Sequence, residues 1–173
     1  MSKNSLSVFF DTEFSTLGDK INLPRLISIG CVANDGREFY AELTDTWQKE
    51  YCSEFVIETV LPLLQGGEFC MTEATLAERL KSWIEGFVDE VVFRTDSPSH
   101  DWPFVEELFK LYGWPLNLRK KYGTVFFESD RQRHRYNSAI EDYFKTHGQR
   151  QHHALVDASS MRYAWKYAVK KGT

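Results

Sequence analysis

The chain has 173 residues, is 42% apolar and 15% aromatic, and carries a formal charge of −4; a chain this long can bury roughly 70% of the surface its unfolded form exposes. The acidic balance excludes a general polyanion binder acting through a basic surface, and no apolar run approaches the ~20 residues that cross a bilayer. Three cysteines, Cys31, Cys52 and Cys70, with no Cys-x-x-Cys spacing exclude both a disulfide framework and a structural zinc. Residues Met1 to Ser5 lack the long apolar segment of a secretion signal. The expectation is one domain spanning residues 1–173, cytoplasmic, with reduced thiols and no membrane partner.

In chain order, the apolar run Leu6 to Phe10 reads as a buried strand. Leu26 to Ala33 and Glu38 to Leu43 read as two more, and Asn34-Asp35-Gly36 between them signals an antiparallel hairpin, because Asp-Gly supplies the positive φ angles of tight turns. Ser53 to Leu64 has helix-like spacing in Phe55, Val56, Val60, Leu61 and Leu64, with Pro62 limiting its regularity. Leu76, Leu80, Trp83, Ile84 and Phe87 form an apolar stripe that predicts a helix over 74–87, and Thr75 with Glu78 has capping-box spacing. Val91 to Phe93 predicts a short buried strand. Phe104 to Tyr112 predicts a helix, with Pro103 in its first turn and Gly113 as its stop. Thr124 to Phe127 predicts another strand, Ser138 to Lys145 a polar helix, and Leu155 to Val169 a last helix with Ala158, Met161, Trp165 and Ala168 on its core face. A strand meander followed by alternating strands and helices implies an α/β fold, a mixed sheet flanked by helices, with the site at the strand ends.

Residues suited to chemistry sit at those strand ends. Asp11 and Glu13 follow the first strand two positions apart, so they share a face, and no basic residue lies between them. A hard divalent cation makes such a pair tolerable; the ordinary alternative is a strand reaching water. Asp101 lies ahead of Pro103, where an aspartate also serves as an N-cap, and Asp96, directly after a strand, is its rival. Asp157 lies beside the core stripe of the last helix, where a carboxylate needs either a metal or the helix dipole. His152 and His153 precede that helix; being adjacent, they are a poor zinc pair. The basic groups Arg119-Lys120-Lys121, Arg131-Arg133-Arg135 and Lys166-Lys170-Lys171 suit either a solvated face or phosphate contacts.

Together, Asp11-Thr12-Glu13-Phe14, the segment Asp101 to Leu108, and His152-x-Ala154-Leu155-x-Asp157 resemble the DEDDh 3′-to-5′ exonucleases, the superfamily of ribonuclease T, oligoribonuclease and polymerase proofreading subunits. Ser53-Glu54-Phe55-Val56 leading to Val60-Leu61-Pro62-Leu63-Leu64 is also similar to the intervening segment of the small bacterial single-domain exoribonucleases. The resemblance spans essentially the whole chain, and its most specific element is the histidine and aspartate separated by four residues. Two departures stand out: Phe14-Ser15-Thr16-Leu17-Gly18 replaces the usual Thr-Thr-Gly, and the asparagine before the second-motif aspartate is absent, with Asp96 near its place. Both bear on the substrate pocket more than on the chemistry.

The resemblance implies a ribonuclease H-like mixed β-sheet flanked by α-helices. It implies that Asp11, Glu13, Asp101 and Asp157 hold two divalent cations, Mg²⁺ or Mn²⁺, and that His152 is the general base, while His153 is one residue too close to Asp157 to match. Phe14 or Leu17 would stack on the terminal base, with burial in the core as the competing reading, favoured for Leu17. The implied activity is 3′-to-5′ exoribonuclease cleavage releasing nucleoside 5′-monophosphates from single-stranded RNA or RNA 3′ overhangs; a second copy of the chain, in a homodimer, is a candidate partner. Two alternatives stay open: an exonuclease acting on single-stranded DNA, and a catalytically silent nucleic-acid-binding module.

Overall fold

The molecule is described here by a computed structural model, which defines residues 5–18, 22–125, 127 and 129–169. Its strands are Ser5–Phe14 (β1), Leu26–Ala33 (β2), Glu38–Leu43 (β3), Cys70–Met71 (β4), Glu90–Thr95 (β5) and Gly123–Thr124 (β6); its α-helices are Glu73–Glu85 (α1), Pro98–Tyr112 (α2), Asp130–His147 (α3) and Ala154–Val169 (α4). The described strands form a six-stranded sheet in the order β4-β3-β2-β1-β5-β6. The β1–β2 and β2–β3 pairs are antiparallel, and β3–β4, β1–β5 and β5–β6 are parallel. This is the mixed α/β sheet expected. Among the described residues no helix is long and apolar enough to cross a membrane.

The central strands are apolar on both sides because both sheet faces are covered. Val8 and Phe10 of β1 join Leu76, Leu80 and Ile84 of α1 and Val105, Leu108 and Phe109 of α2 in one core. Phe9, pointing the opposite way, packs with Tyr136 and Ala139 of α3 and Ala158 and Met161 of α4. At the Asn34-Asp35-Gly36 turn, Gly36 has φ +101° and its N–H donates to Ala33 O at 2.9 Å, as the hairpin signal predicts. The Pro62 segment is irregular in the way that proline imposes: a π-helical turn at Val56–Val60 runs into a 3-10 turn at Leu61–Leu63.

Several boundaries differ from the sequence expectation. The N-cap of α1 is Thr72, whose hydroxyl accepts from Thr75 N at 3.3 Å, so the Thr75–Glu78 pair is not the cap. Helix α2 begins at Pro98, which takes the first helical position, so Pro103 lies inside the helix and Ser97 occupies the N-cap position. Asp101 is therefore not an N-cap. Helix α3 starts eight residues before Ser138, at Asp130, with Ser129 Oγ accepting from Gln132 N at 3.3 Å. The strand expected over Thr124 to Phe127 is seen as Gly123–Thr124, after which Val125 N still donates to Thr95 O at 3.4 Å; Phe126, like Lys170 and Lys171, lies outside the described residues.

Helix α4 can lie against the sheet because β2 carries a glycine beneath it. A Cβ placed on Gly30 would stand 2.2 Å from Leu155 N and 2.3 Å from Ala154 C. Those atoms are helix backbone and cannot step aside. Gly30→Ala is therefore expected to lower stability by at least about 1–3 kcal/mol, the usual cost of overpacking, read as a lower urea midpoint with an unchanged m-value.

Candidate metal centre

Strands β1 and β5 run parallel and end at the same sheet edge, but their pairing stops at Phe9↔Arg94. Beyond that point Asp11 to Phe14 continue paired only with β2. The edge is left open, and the N-termini of α2 and α4 close around it, placing a crevice beyond the carboxyl ends of parallel strands. The resulting cleft, about 740 Å³, is lined by Asp11, Glu13, Phe14, Asp101, His152 and Asp157 together with Asp96. All six sequence candidates thus converge, across 146 residues of chain separating Asp11 from Asp157.

Asp11 and Glu13 sit on the α4 face of β1, opposite Gly30 and Ser28 of β2. Glu13 is only 8% exposed, and among the described residues no donor or cation reaches either carboxylate. Burial first, then the neighbouring Asp157 and Asp101 charges, push Glu13 up to about 8. Asp11 is raised well above its ordinary value, again chiefly by burial, with Asp101, Glu13, Asp157 and Asp96 adding repulsion.

Asp101 arrives from the other side of the sheet and is anchored differently. Its Oδ1 accepts from Thr12 Oγ1 at 2.7 Å and Thr12 N at 3.3 Å, and its Oδ2 from Thr95 Oγ1 at 2.5 Å. At 2% exposure its value rises to about 6 through burial, which the threonine hydrogen bonds oppose. Asp157 lies in the first turns of α4, and its Oδ2 accepts from His152 N at 2.8 Å, like the reciprocal arm of a capping box. Burial lifts it to about 7 against the pull of the His152 and His153 amides. Asp96 accepts from Tyr136 OH at 3.4 Å and is also raised, chiefly by burial.

Ligand atoms of Glu13, His152 and Asp157 all lie within 4.8 Å of one another. His152 adopts φ +72°, the one positive φ at a non-glycine among the described residues. Its imidazole meets the ring of Phe55 edge-on, with centroids 4.9 Å apart, and burial lowers its pKa, favouring the neutral ring. The donor set fits a hard divalent cation: oxygens from several carboxylates, with no positive side chain among the described residues of the cleft to balance them.

The aromatic wall of the cleft differs in part from the expectation. Phe14 is half-buried, stacked on His100 at 6.2 Å and 13°, and 5.5 Å from Phe104. Leu17 is 77% exposed and lines the cleft mouth, which corrects its expected burial: the chain has left the sheet after Phe14, so no layer covers it. Thr12, Thr95, Ile140 and Phe144 were not singled out by sequence. The threonines act through contacts across up to 89 residues, which no local pattern carries, whereas Ile140 and Phe144, four apart on α3, do have a helical spacing that could have pointed to them.

No family model matches the chain, and no curated protein does. Solved structures do. The zinc-bound complex of E. coli exonuclease I with single-stranded DNA aligns with a TM-score of 0.61 at 14% identity, over 98% of this chain and 41% of that one. The nuclease domain of 3′hExo, a DEDDh family member, bound to rAMP aligns at 0.60 and 14% identity, over 96% of this chain and 92% of that one. A 3′-exonuclease that recognises the 3′ end of the histone mRNA stem-loop aligns at 0.61 and 14% identity, over 96% and 64%. The chain spans about 41% of the length of the exonuclease I chains it matches. At these identities what is shared is architecture: this chain has the ribonuclease H-like fold of the DEDDh exonucleases.

Proposed function

We propose that this protein is a metal-dependent 3′-to-5′ exonuclease that releases nucleoside 5′-monophosphates, and that its preferred polymer is single-stranded RNA or an RNA 3′ overhang. The observation that carries this reading is the cleft itself: clustered carboxylates with no compensating cation among the described residues, beside a histidine whose neutral form burial favours, on a fold shared with exonucleases. Asp11, Glu13 and Asp157 would hold divalent cations, Mg²⁺ or Mn²⁺, and Asp101 would act from behind them, its oxygens already fixed by Thr12 and Thr95. Such cations supply charge neutralisation at the scissile phosphate and a more acidic water. His152, held neutral, accepts the proton of the attacking water as the bond to the 3′ oxygen of the preceding nucleotide breaks. Phe14 offers a face to the terminal base, a contact worth about 1–3 kcal/mol and tolerant of sequence.

The charged surface is consistent with a substrate arriving past α3. Arg119 pairs with Glu90 at the start of β5, the end of the strand away from the cleft. Lys166 lies about 18 Å along α4 from its cleft-side end, at 1.5 Å per residue. The Arg131-Arg133-Arg135 group, by contrast, is in the turn of α3 beside Tyr136, which bonds Asp96 in the cleft. Arg133 lies three residues before Tyr136 and seven before Ile140, so it extends the cleft-facing stripe of that helix.

Incubating labelled single-stranded RNA and DNA oligomers with Mg²⁺, with Mn²⁺ and with EDTA tests the reading. One-nucleotide shortening from the 3′ end with either cation, faster on RNA and abolished by EDTA, is expected. Faster shortening of DNA would replace the RNA preference by the single-stranded DNA alternative, and retention of both polymers at full length under every metal would leave a silent binding module.

A further inference from the structure

The residue beside the proposed base is the less expected feature. His153 does not line the cleft. Its side chain turns the other way, is 8% exposed, and lies flat on the ring of Tyr40 in β3, with centroids 4.6 Å apart and planes at 24°. On its edge, Gln65 Nε2 stands 2.9 Å from His153 Nε2, so the amide donates to the unprotonated ring nitrogen. Tyr40 and Gln65 are themselves fixed by one group. Glu42, 3% exposed, accepts from Tyr40 OH at 2.8 Å, from Gln65 N at 2.6 Å and from Gly66 N at 2.9 Å. A buried carboxylate thus builds both walls of a slot, and the His153 ring fills it.

The slot lies one residue from the strained point of the backbone. A left-handed φ at a side-chain-bearing residue is strained and persists only where the surroundings over-determine it. At His152 two tethers do so. One is the Asp157 carboxylate on His152 N, which cation ligation would also engage. The other is the gripped ring of His153, which ties the turn to the sheet independently of the metal.

We infer that His153, held by Tyr40 and Gln65, is a positioning residue: it keeps the turn at His152 in its left-handed conformation and so aims the His152 imidazole into the cleft. This rests on the reading of His152 as base given above. When the slot is opened, the turn relaxes toward negative φ, and His152 swings off the line on which it meets the attacking water. Misplacements of this kind lower turnover more than substrate binding.

The test is a double-mutant cycle on the full chain, with single-stranded oligonucleotide and saturating Mn²⁺. Gln65 is exposed, so Gln65→Met leaves packing intact; it is expected to lower kcat by about 3–10-fold with KM unchanged. Gln65→Glu, which still accepts from Nε2–H of the other tautomer, is expected to return kcat to within about 2-fold of wild type. His153→Phe, which keeps the stack and loses the polar edge, is expected to match Gln65→Met. In a His152→Ala background, itself slower by roughly 10²-fold, Gln65→Met is expected to have no further effect. Wild-type kcat in Gln65→Met and His153→Phe, or a loss that persists undiminished in His152→Ala, would overturn the positioning role. A His152→Ala variant as active as wild type, or a wild-type chain that cuts nothing, would instead remove the base or the nuclease reading on which it stands.

Discussion

Asp11→Asn and Glu13→Gln are each expected to abolish cleavage while raising the Tm of the metal-free protein. The two effects share one cause. Glu13 is buried and Asp11 half-buried, neither has a hydrogen-bond donor among the described residues, and burial together with the facing Asp101 and Asp157 raises their pKa values. An amide of the same shape carries no charge to desolvate or repel, so the metal-free fold gains on the order of 1–2 kcal/mol, ~2–8 °C for a chain of this size. On the proposed reading the same amide also removes an anionic cation ligand. Loss of an outer partner of a metal site already costs about 10–100-fold, and loss of a ligand exceeds that. Thermal melts with EDTA and cleavage assays with Mn²⁺ on the same preparations read both. A variant that is both destabilised and active would mean that the carboxylate has an ordinary structural partner.

Proton competition gives the second large effect. Glu13, Asp157 and Asp101 hold their protons up to about 8, 7 and 6, so more protons are bound in the folded than in the unfolded state from the unfolded carboxyl range up to about pH 8. Stability of the metal-free protein therefore falls as pH rises across that window. Cation binding displaces those protons, so affinity for Mn²⁺ is expected to strengthen from pH 6 to 8, with the largest cation-induced Tm increase at the upper end. Cleavage at limiting Mn²⁺ should fall away below about pH 7, and saturating Mn²⁺ should shift that acid limb to lower pH. Burial lowers the His152 pKa and so favours its neutral ring, which leaves the limb to the carboxylates. Calorimetric titration in buffers of different ionisation enthalpy counts the released protons; no release at pH 7 would contradict the account.

The parts of the fold legible in the sequence were those with strong local periodicity. The run before Asp11, the Asp35-Gly36 hairpin and the last helix follow from apolar spacing and turn chemistry alone. Pattern reading fails where polar residues continue an element. Strand β1 runs on to Phe14 although its apolar run stops at Phe10, because Asp11 to Phe14 are held by β2 pairing and line a cleft. The first two turns of α3, rich in arginine, show almost no apolar stripe; Tyr136 alone marks the buried side.

Within the cleft, the Asp11–Glu13 pair was legible by residue type and spacing, whereas Asp101, His152 and Asp157 were singled out by the family resemblance, and folding brings all five together. Their surroundings were not. The Thr12 and Thr95 anchors of Asp101, and the Tyr40–Gln65 slot around His153, join segments up to 113 positions apart, so they exist only once β3 and α4 are packed. Leu17 was misjudged because hydrophobicity predicts burial only where another layer covers the chain.

The most direct test of the central claim is a crystal structure of the protein with Mn²⁺ and a nucleoside 5′-monophosphate, phased to show anomalous scattering. Anomalous peaks are expected within coordination distance of Asp11, Glu13 and Asp157, with the nucleotide phosphate against them and His152 facing that phosphate. Manganese bound elsewhere while this cleft stays free of it, at a pH where the carboxylates are ionised, would contradict the account.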